Sequence, residues 1–219
     1  MPYKTDPIAK SFSFGEILAN SITHGIGVAL SIIGFVFLLV RAINLGTGWH
    51  IVGFSIFGTS LVLLYAASTL YHSTPRKSWN AVLQRLDHVA IFFLIAGTYT
   101  PFMLLKLRGA LGWTVFGIMW AIAIGGLIVK LGFTSRFVKP PVWLYVAMSW
   151  LALLAFGKVM SDVGSLSLTF LLVGGVCYTA GILFFKWRKL PYSHAIWHVF
   201  VLFGSIFHYL SVFNLVSGS

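Results

Sequence analysis

The residues best suited to chemistry are two histidines, His194 and His198, in Tyr192-Ser193-His194-Ala195-Ile196-Trp197-His198, which opens the last apolar run. Side chains four apart on a helix lie on one face, a turn apart, so both imidazoles can grip one metal ion. His72 ends an earlier apolar run, four residues after Ser68, and Asp87 opens the run that follows. Three imidazoles with a water in the fourth position are a common catalytic zinc set. An aspartate beside them can deprotonate that water or fix it from the outer shell. Ser68 adds a hydroxyl able to donate to the water or to a substrate carbonyl.

The elements that must position these groups are membrane helices. Of the 219 residues, 58% are hydrophobic and 9% charged, against about 25% charged in soluble domains. Mean hydropathy is +0.93. The expected fold is an all-α, seven-transmembrane bundle, with residues 1–15 a tail and 16–219 one membrane domain. Spans are expected over about Glu16–Val40, Trp49–His72, Asp87–Leu105, Leu111–Leu131, from after Pro140-Pro141 to near Phe156, Leu166–Phe185 and Ser193–Val216. Each is near the ~20 apolar residues that cross hydrocarbon, the fifth being the shortest. Gly125-Gly126 and Gly174-Gly175 are candidates for close helix contacts.

The net charge of +11 raises nucleic acid as a partner. The basic residues lie in short loops between apolar runs, however, and no soluble basic face is left to bind it. Alternate connections hold Lys4 and Lys10; Arg76, Lys77 and Arg85; Lys130, Arg136 and Lys139; Lys186, Arg188 and Lys189. The opposite set holds only Arg41, Lys106, Arg108 and Lys158. This asymmetry predicts a cytoplasmic N-terminus and a periplasmic or extracellular C-terminus. That orientation is opposite to G-protein-coupled receptors, and the last span has no lysine for a retinal Schiff base. A single cysteine, Cys177, excludes an intrachain disulfide and a cysteine metal cluster. No cleavable signal or lipidation motif is evident.

With that orientation Ser68, His72, Asp87, His194 and His198 all fall in the inner leaflet. Glu16, Asn20 and His24 begin the first span there, spaced by four, His24 about 12 Å deeper than Glu16. Ionisable groups in a membrane usually face the bundle interior and mark function. Other readings stand beside this one. His50 and His88 fit packing roles. His208, about 15 Å beyond His198, fits a helix–helix contact or a deeper group of the same cavity. Asp87 and Glu16 could simply complement helix dipoles. His24 is a candidate fourth ligand, which would close the site.

The sequence resembles the hemolysin III family, bacterial members of the progestin and adipoQ receptor superfamily. Three blocks carry the resemblance: Glu16 to Gly25; Ser68 to Ser73 with Leu86 to Phe92 and Ala96 to Phe102; and His194 to Phe200 with Gly204-Ser205 and His208-Tyr209. They span nearly the whole chain in order. The resemblance implies seven helices with the N-terminus inside and Zn2+ near the cytoplasmic face. In the related adiponectin receptors, one histidine of the second helix and two of the seventh hold zinc, and an aspartate of the third holds its water. The matching positions are His72, His194, His198 and Asp87, with Ser68 at the related serine. Those receptors carry a long N-terminal region that has no counterpart here, so no protein hormone is expected as a partner.

Resemblance to ceramidase-type enzymes implies a zinc-dependent hydrolase acting on lipid amides or esters, with membrane lipid as substrate, in a bacterial inner membrane. The alternative is a non-catalytic regulator or sensor of membrane state with a structural zinc. A third reading is a proton or ion path through His24, Asp87 and His208. The cytolytic activity in the family name finds no secretion signal or amphipathic pore-forming segment to support it.

Overall fold

The computed structural model describes residues 12–74, 77–130, 142–151, 161–187 and 189–216. Among them the chain forms seven α-helices of nine residues or more: α1 (Phe14–Leu45), α2 (Gly48–Ser73), α3 (Lys77–Leu105), α4 (Ala110–Ile128), α5 (Val142–Trp150), α6 (Ser165–Lys186) and α7 (Ser193–Phe213). A 3-10 turn over Asn214–Val216 closes α7. No strand occurs among the described residues. Six of the helices, all but α5, are long and apolar enough to cross a membrane. The fifth expected span is described only through α5 and residue 151. Its remainder lies outside the described residues, as do Lys4, Lys10, Arg76, Arg136, Lys139, Lys158 and Arg188.

α1 is patterned for lipid rather than water. Glu16, Asn20, His24, Gly27, Ser31, Leu38 and Ala42 are buried, while Leu18, Ile22, Ile26, Ile33 and Phe37 are exposed. The polar stripe points into the bundle and the apolar stripe outward, as expected where hydrocarbon is the solvent. Gly27 permits the close crossing of α1 and α2, because a Cβ there would sit 2.2 Å from the Tyr65 ring. One glycine of each expected pair makes a close contact. A Cβ on Gly126 would press on Phe92, and one on Gly174 on His208, whereas Gly125 and Gly175 have room.

The helices pack α1 on α2, α2 on α3, and α3 on α4 and α5. α7 packs on α1, α3 and α6, which brings its start back to α1. α3 lies innermost, burying Val89, Ala90, Phe92, Leu94, Ala96, Thr98, Thr100 and Phe102.

Two expected boundaries need correction. α1 continues to Leu45 instead of ending near Val40. Arg41 lies inside the helix, its guanidinium 4.4 Å from the centre of the Phe213 ring. α3 begins at Lys77, ten residues before Asp87. Charged and polar residues such as Arg85 and Gln84 interrupt apolarity without interrupting a helix. Asp87 therefore lies well inside α3, and complementing the dipole of a first turn does not explain it.

Candidate metal centre

His72 lies in the last turn of α2, while His194 and His198 lie in the first two turns of α7. α2 ends where α7 begins, and the three imidazoles meet at that end of the bundle. Ring centroids are 5.0 Å apart for His72 and His194, 4.9 Å for His72 and His198, and 4.5 Å for His194 and His198. One ligating atom from each lies within 4.8 Å of the other two. The Nε2 atoms of His72 and His194 are 3.3 Å apart. Two nitrogens held ~2.0–2.1 Å from a tetrahedral ion are about 3.3 Å apart, so this spacing suits one ion between them. His198 is 0% exposed, and its Nε2 is buried without a hydrogen-bond partner. Such an unsatisfied buried polar atom is costly unless something binds it. The donor set therefore fits a metal ion.

The first turn of α7 is held from α1. Tyr192, which precedes α7, adopts φ 56° and ψ 15°, left-handed values uncommon for a residue other than glycine. Its backbone N–H donates to Glu16 Oε1 at 3.2 Å. The other carboxylate oxygen, Oε2, accepts from Ser13 N–H at 2.9 Å, and Glu16 N–H donates to Ser13 Oγ at 3.3 Å. These last two bonds form a capping box on α1. Glu16 thus caps one helix and pins the entry of the helix that carries His194. Aromatic rings crowd that histidine: Trp197, Phe12 and Phe185 have centroids 4.9, 5.4 and 5.9 Å from it.

Ser68 lies a turn before His72 on α2 and is 1% exposed. Its hydroxyl lies within hydrogen-bonding reach of the Asp87 carboxylate of α3. Asp87 consequently lies beside the α2 turn that ends in His72.

The polar stripe of α1 approaches the same histidines. The His24 ring lies against His198 with centroids 3.6 Å apart, and 5.2 Å from the Tyr65 ring. His24 is nevertheless outside the three-histidine group. Both of its ring nitrogens, and both amide atoms of the fully buried Asn20, have no hydrogen-bond partner.

His208 does not join the centre. Its Nε2 pairs with the Leu171 carbonyl of α6 at 3.1 Å, a helix–helix contact. His50 accepts Thr47 N–H at Nδ1, 3.0 Å away, at the start of α2. The His88 carbonyl accepts the Tyr145 hydroxyl at 3.1 Å, joining α3 to α5. Sequence reasoning missed Thr23, whose Oγ1 lies 3.3 Å from His198 Nδ1. The available signal was its place three residues after Asn20, at the edge of the polar stripe.

The family described as Haemolysin-III related matches residues 12–209. The chain is 46% identical over 194 residues to the Hemolysin-3 homolog of Bacillus subtilis (strain 168), covering 89% of this chain and 91% of that protein. It is 46% identical over 197 residues to Hemolysin-3 of Bacillus cereus, covering 90% of each. A human protein, Monocyte to macrophage differentiation factor, is 28% identical over 205 residues, which is 91% of this chain and 84% of that one. The matched residues run from just before the α1 cap almost to the end of α7 and include all three histidines, Asp87 and Ser68: this membrane protein belongs to the Haemolysin-III related family.

Proposed function

We propose that the chain is a zinc-dependent hydrolase of lipid amides or esters, working at the cytoplasmic end of its bundle in a bacterial inner membrane, with the N-terminus inside. The observation that carries this reading is the three-histidine group with the Ser68–Asp87 pair beside it. Three imidazoles and a nearby carboxylate match a catalytic zinc site, which keeps one position open. A structural site is closed by four protein ligands, and His24 is not in the group. That separation favours hydrolysis over the regulatory reading.

A zinc ion held there would supply Lewis acidity, polarising a carbonyl and acidifying water. His72, His194 and His198 would hold it. Asp87 takes the proton of the attacking water at a carboxylate oxygen and passes it to the leaving nitrogen or oxygen. Ser68 would steady the Asp87 carboxylate by donating to it. The acyl chain would enter sideways from the bilayer.

The test is metal analysis by mass spectrometry on detergent-purified protein, with a lipid amide and ester panel assayed on the same samples. One zinc per chain with cleavage supports the reading, provided Asp87→Asn keeps zinc and loses cleavage. One zinc with no cleavage across the panel turns it toward a structural or regulatory metal. No zinc in fresh protein overturns it.

A further inference from the structure

We infer that Thr23, on a helix that supplies none of the three histidines, fixes the tautomer of His198 so that Nε2 presents its lone pair to the metal. The inference rests on the metal reading above and adds a positioning residue to it.

The argument is a count of protons and lone pairs. A threonine hydroxyl has one proton to give and two lone pairs to receive. The Thr23 hydroxyl faces two α1 carbonyls, Ala19 O at 2.8 Å and Asn20 O at 3.0 Å. Carbonyls only accept, so the single hydroxyl proton is committed to them. At 3.3 Å on another side lies His198 Nδ1. With its proton spent, Oγ1 can meet that nitrogen only as an acceptor, so Nδ1 carries the hydrogen.

A neutral imidazole has one N–H, so hydrogen on Nδ1 leaves Nε2 bare. Nε2 is the buried atom of His198 that no protein group satisfies. The opposite tautomer is wrong at both nitrogens. It sets the Nδ1 lone pair against a threonine lone pair and buries an Nε2–H with nothing to receive it. His24 lies against the His198 ring, and His72, His194 and Trp197 lie beside it. Ligating histidines commonly donate their second ring N–H to a fixed partner, which sets ring orientation and basicity. Here that partner comes from α1. Back-bonding to its own helix holds the β-branched Thr23 side chain in place, so the acceptor is preorganised before any metal arrives.

The experiment uses full-length protein labelled with 15N-histidine in nanodiscs, first stripped of metal and then titrated with Zn2+ against a chromophoric chelator. His198 resonances are assigned by comparison with His198→Gln. In metal-free wild type, His198 is expected to be protonated at Nδ1 and bare at Nε2. Thr23→Val, close in shape but lacking the hydroxyl, should lose that single tautomer and bind zinc about 10–100-fold more weakly, the range for outer-shell partners. Thr23→Ser should bind like wild type. Helicity and thermal melting of the apo variants control for folding. Protonation at Nε2 in metal-free wild type overturns the inference, and so does unaltered zinc affinity in a folded Thr23→Val. Wild type with the Nδ1–H tautomer but no zinc uptake supports the tautomer assignment and overturns the metal reading.

Discussion

Two buried polar regions of this bundle are built from similar side chains and differ in whether they are satisfied. The inner one joins α2, α6 and α7. Tyr65 OH donates to Ser205 Oγ at 2.7 Å, Tyr178 OH pairs with the same oxygen at 2.7 Å, and His208 pairs with the Leu171 carbonyl. Ser211 OH donates to the Ser167 carbonyl at 2.5 Å. The other region, at the end of the bundle, joins α1, α2 and α7 around His72, His194 and His198. There Asn20, His24 and Nε2 of His198 leave buried polar atoms without partners. A fully satisfied network rigidifies a fold, and a partly satisfied one is expensive unless something completes it. The first region fastens helices together, and the second holds three histidines that could grip a metal ion.

The largest effect that sharpens this contrast is loss of the metal. His194→Ala removes one of three ligands and should take bound zinc from one per chain to none, measured by mass spectrometry. In wild type, a chelator should lower the melting temperature, because a ligand at a hundredfold excess over its Kd stabilises by ~2.7 kcal/mol. The same chelator should leave His194→Ala unmoved. Next comes Asp87→Asn, which keeps the shape and the Ser68 contact but removes the base. Turnover should fall about 10²–10⁴-fold, the usual contribution of general acid–base catalysis, with zinc retained. Full turnover in that variant removes Asp87 from the chemistry. A smaller effect belongs to Glu16→Gln. Its two carboxylate oxygens accept from Ser13 and Tyr192, and an amide has only one oxygen to do so. The entry of α7 loosens, and zinc affinity should drop about tenfold, as for supporting partners that hold a ligand in place. Unchanged affinity would make Glu16 a helix cap alone.

Much of the site was legible in the sequence, for a physical reason. Ionisable side chains are rare in apolar runs, so His72, His194 and His198 stand out, and helix period puts the last two on one face. Helix ends were less legible, because hydropathy records where lipid stops and not where hydrogen bonding stops. Thus α1 continues past Val40, and α3 begins ten residues before Asp87. The supporting roles were hidden for a different reason. A threonine in a membrane helix usually back-bonds to its own turn, and Thr23 does so. What its remaining lone pairs receive depends on where α7 lies, which is a tertiary fact. Ser68 was visible as a polar residue on the right face, but its engagement with Asp87 required α3 to be in place. Glu16 was visible at a helix start, but its hold on Tyr192 spans 176 residues.

The smallest effect is the one that can break the contrast. Ser205→Ala deletes the oxygen shared by the Tyr65 and Tyr178 hydroxyls. Tyr65 has a second acceptor, the Val201 carbonyl at 3.4 Å, so the loss is partly recovered. Interhelical hydrogen bonds in membrane proteins average ~0.6 kcal/mol, and a buried polar group left unsatisfied costs about 1–3 kcal/mol. With one hydroxyl rescued and one orphaned, destabilisation should be about 1 kcal/mol in unfolding from mixed micelles. Zinc content and turnover should stay at wild-type levels. The two regions touch through the Tyr65 and His24 rings, 5.2 Å apart edge to face. If Ser205→Ala lowers zinc affinity, strain passes through that contact to His24 and on to His198, and the fastener and the site are one network. If only stability moves, the unsatisfied atoms beside His198 belong to the metal centre alone.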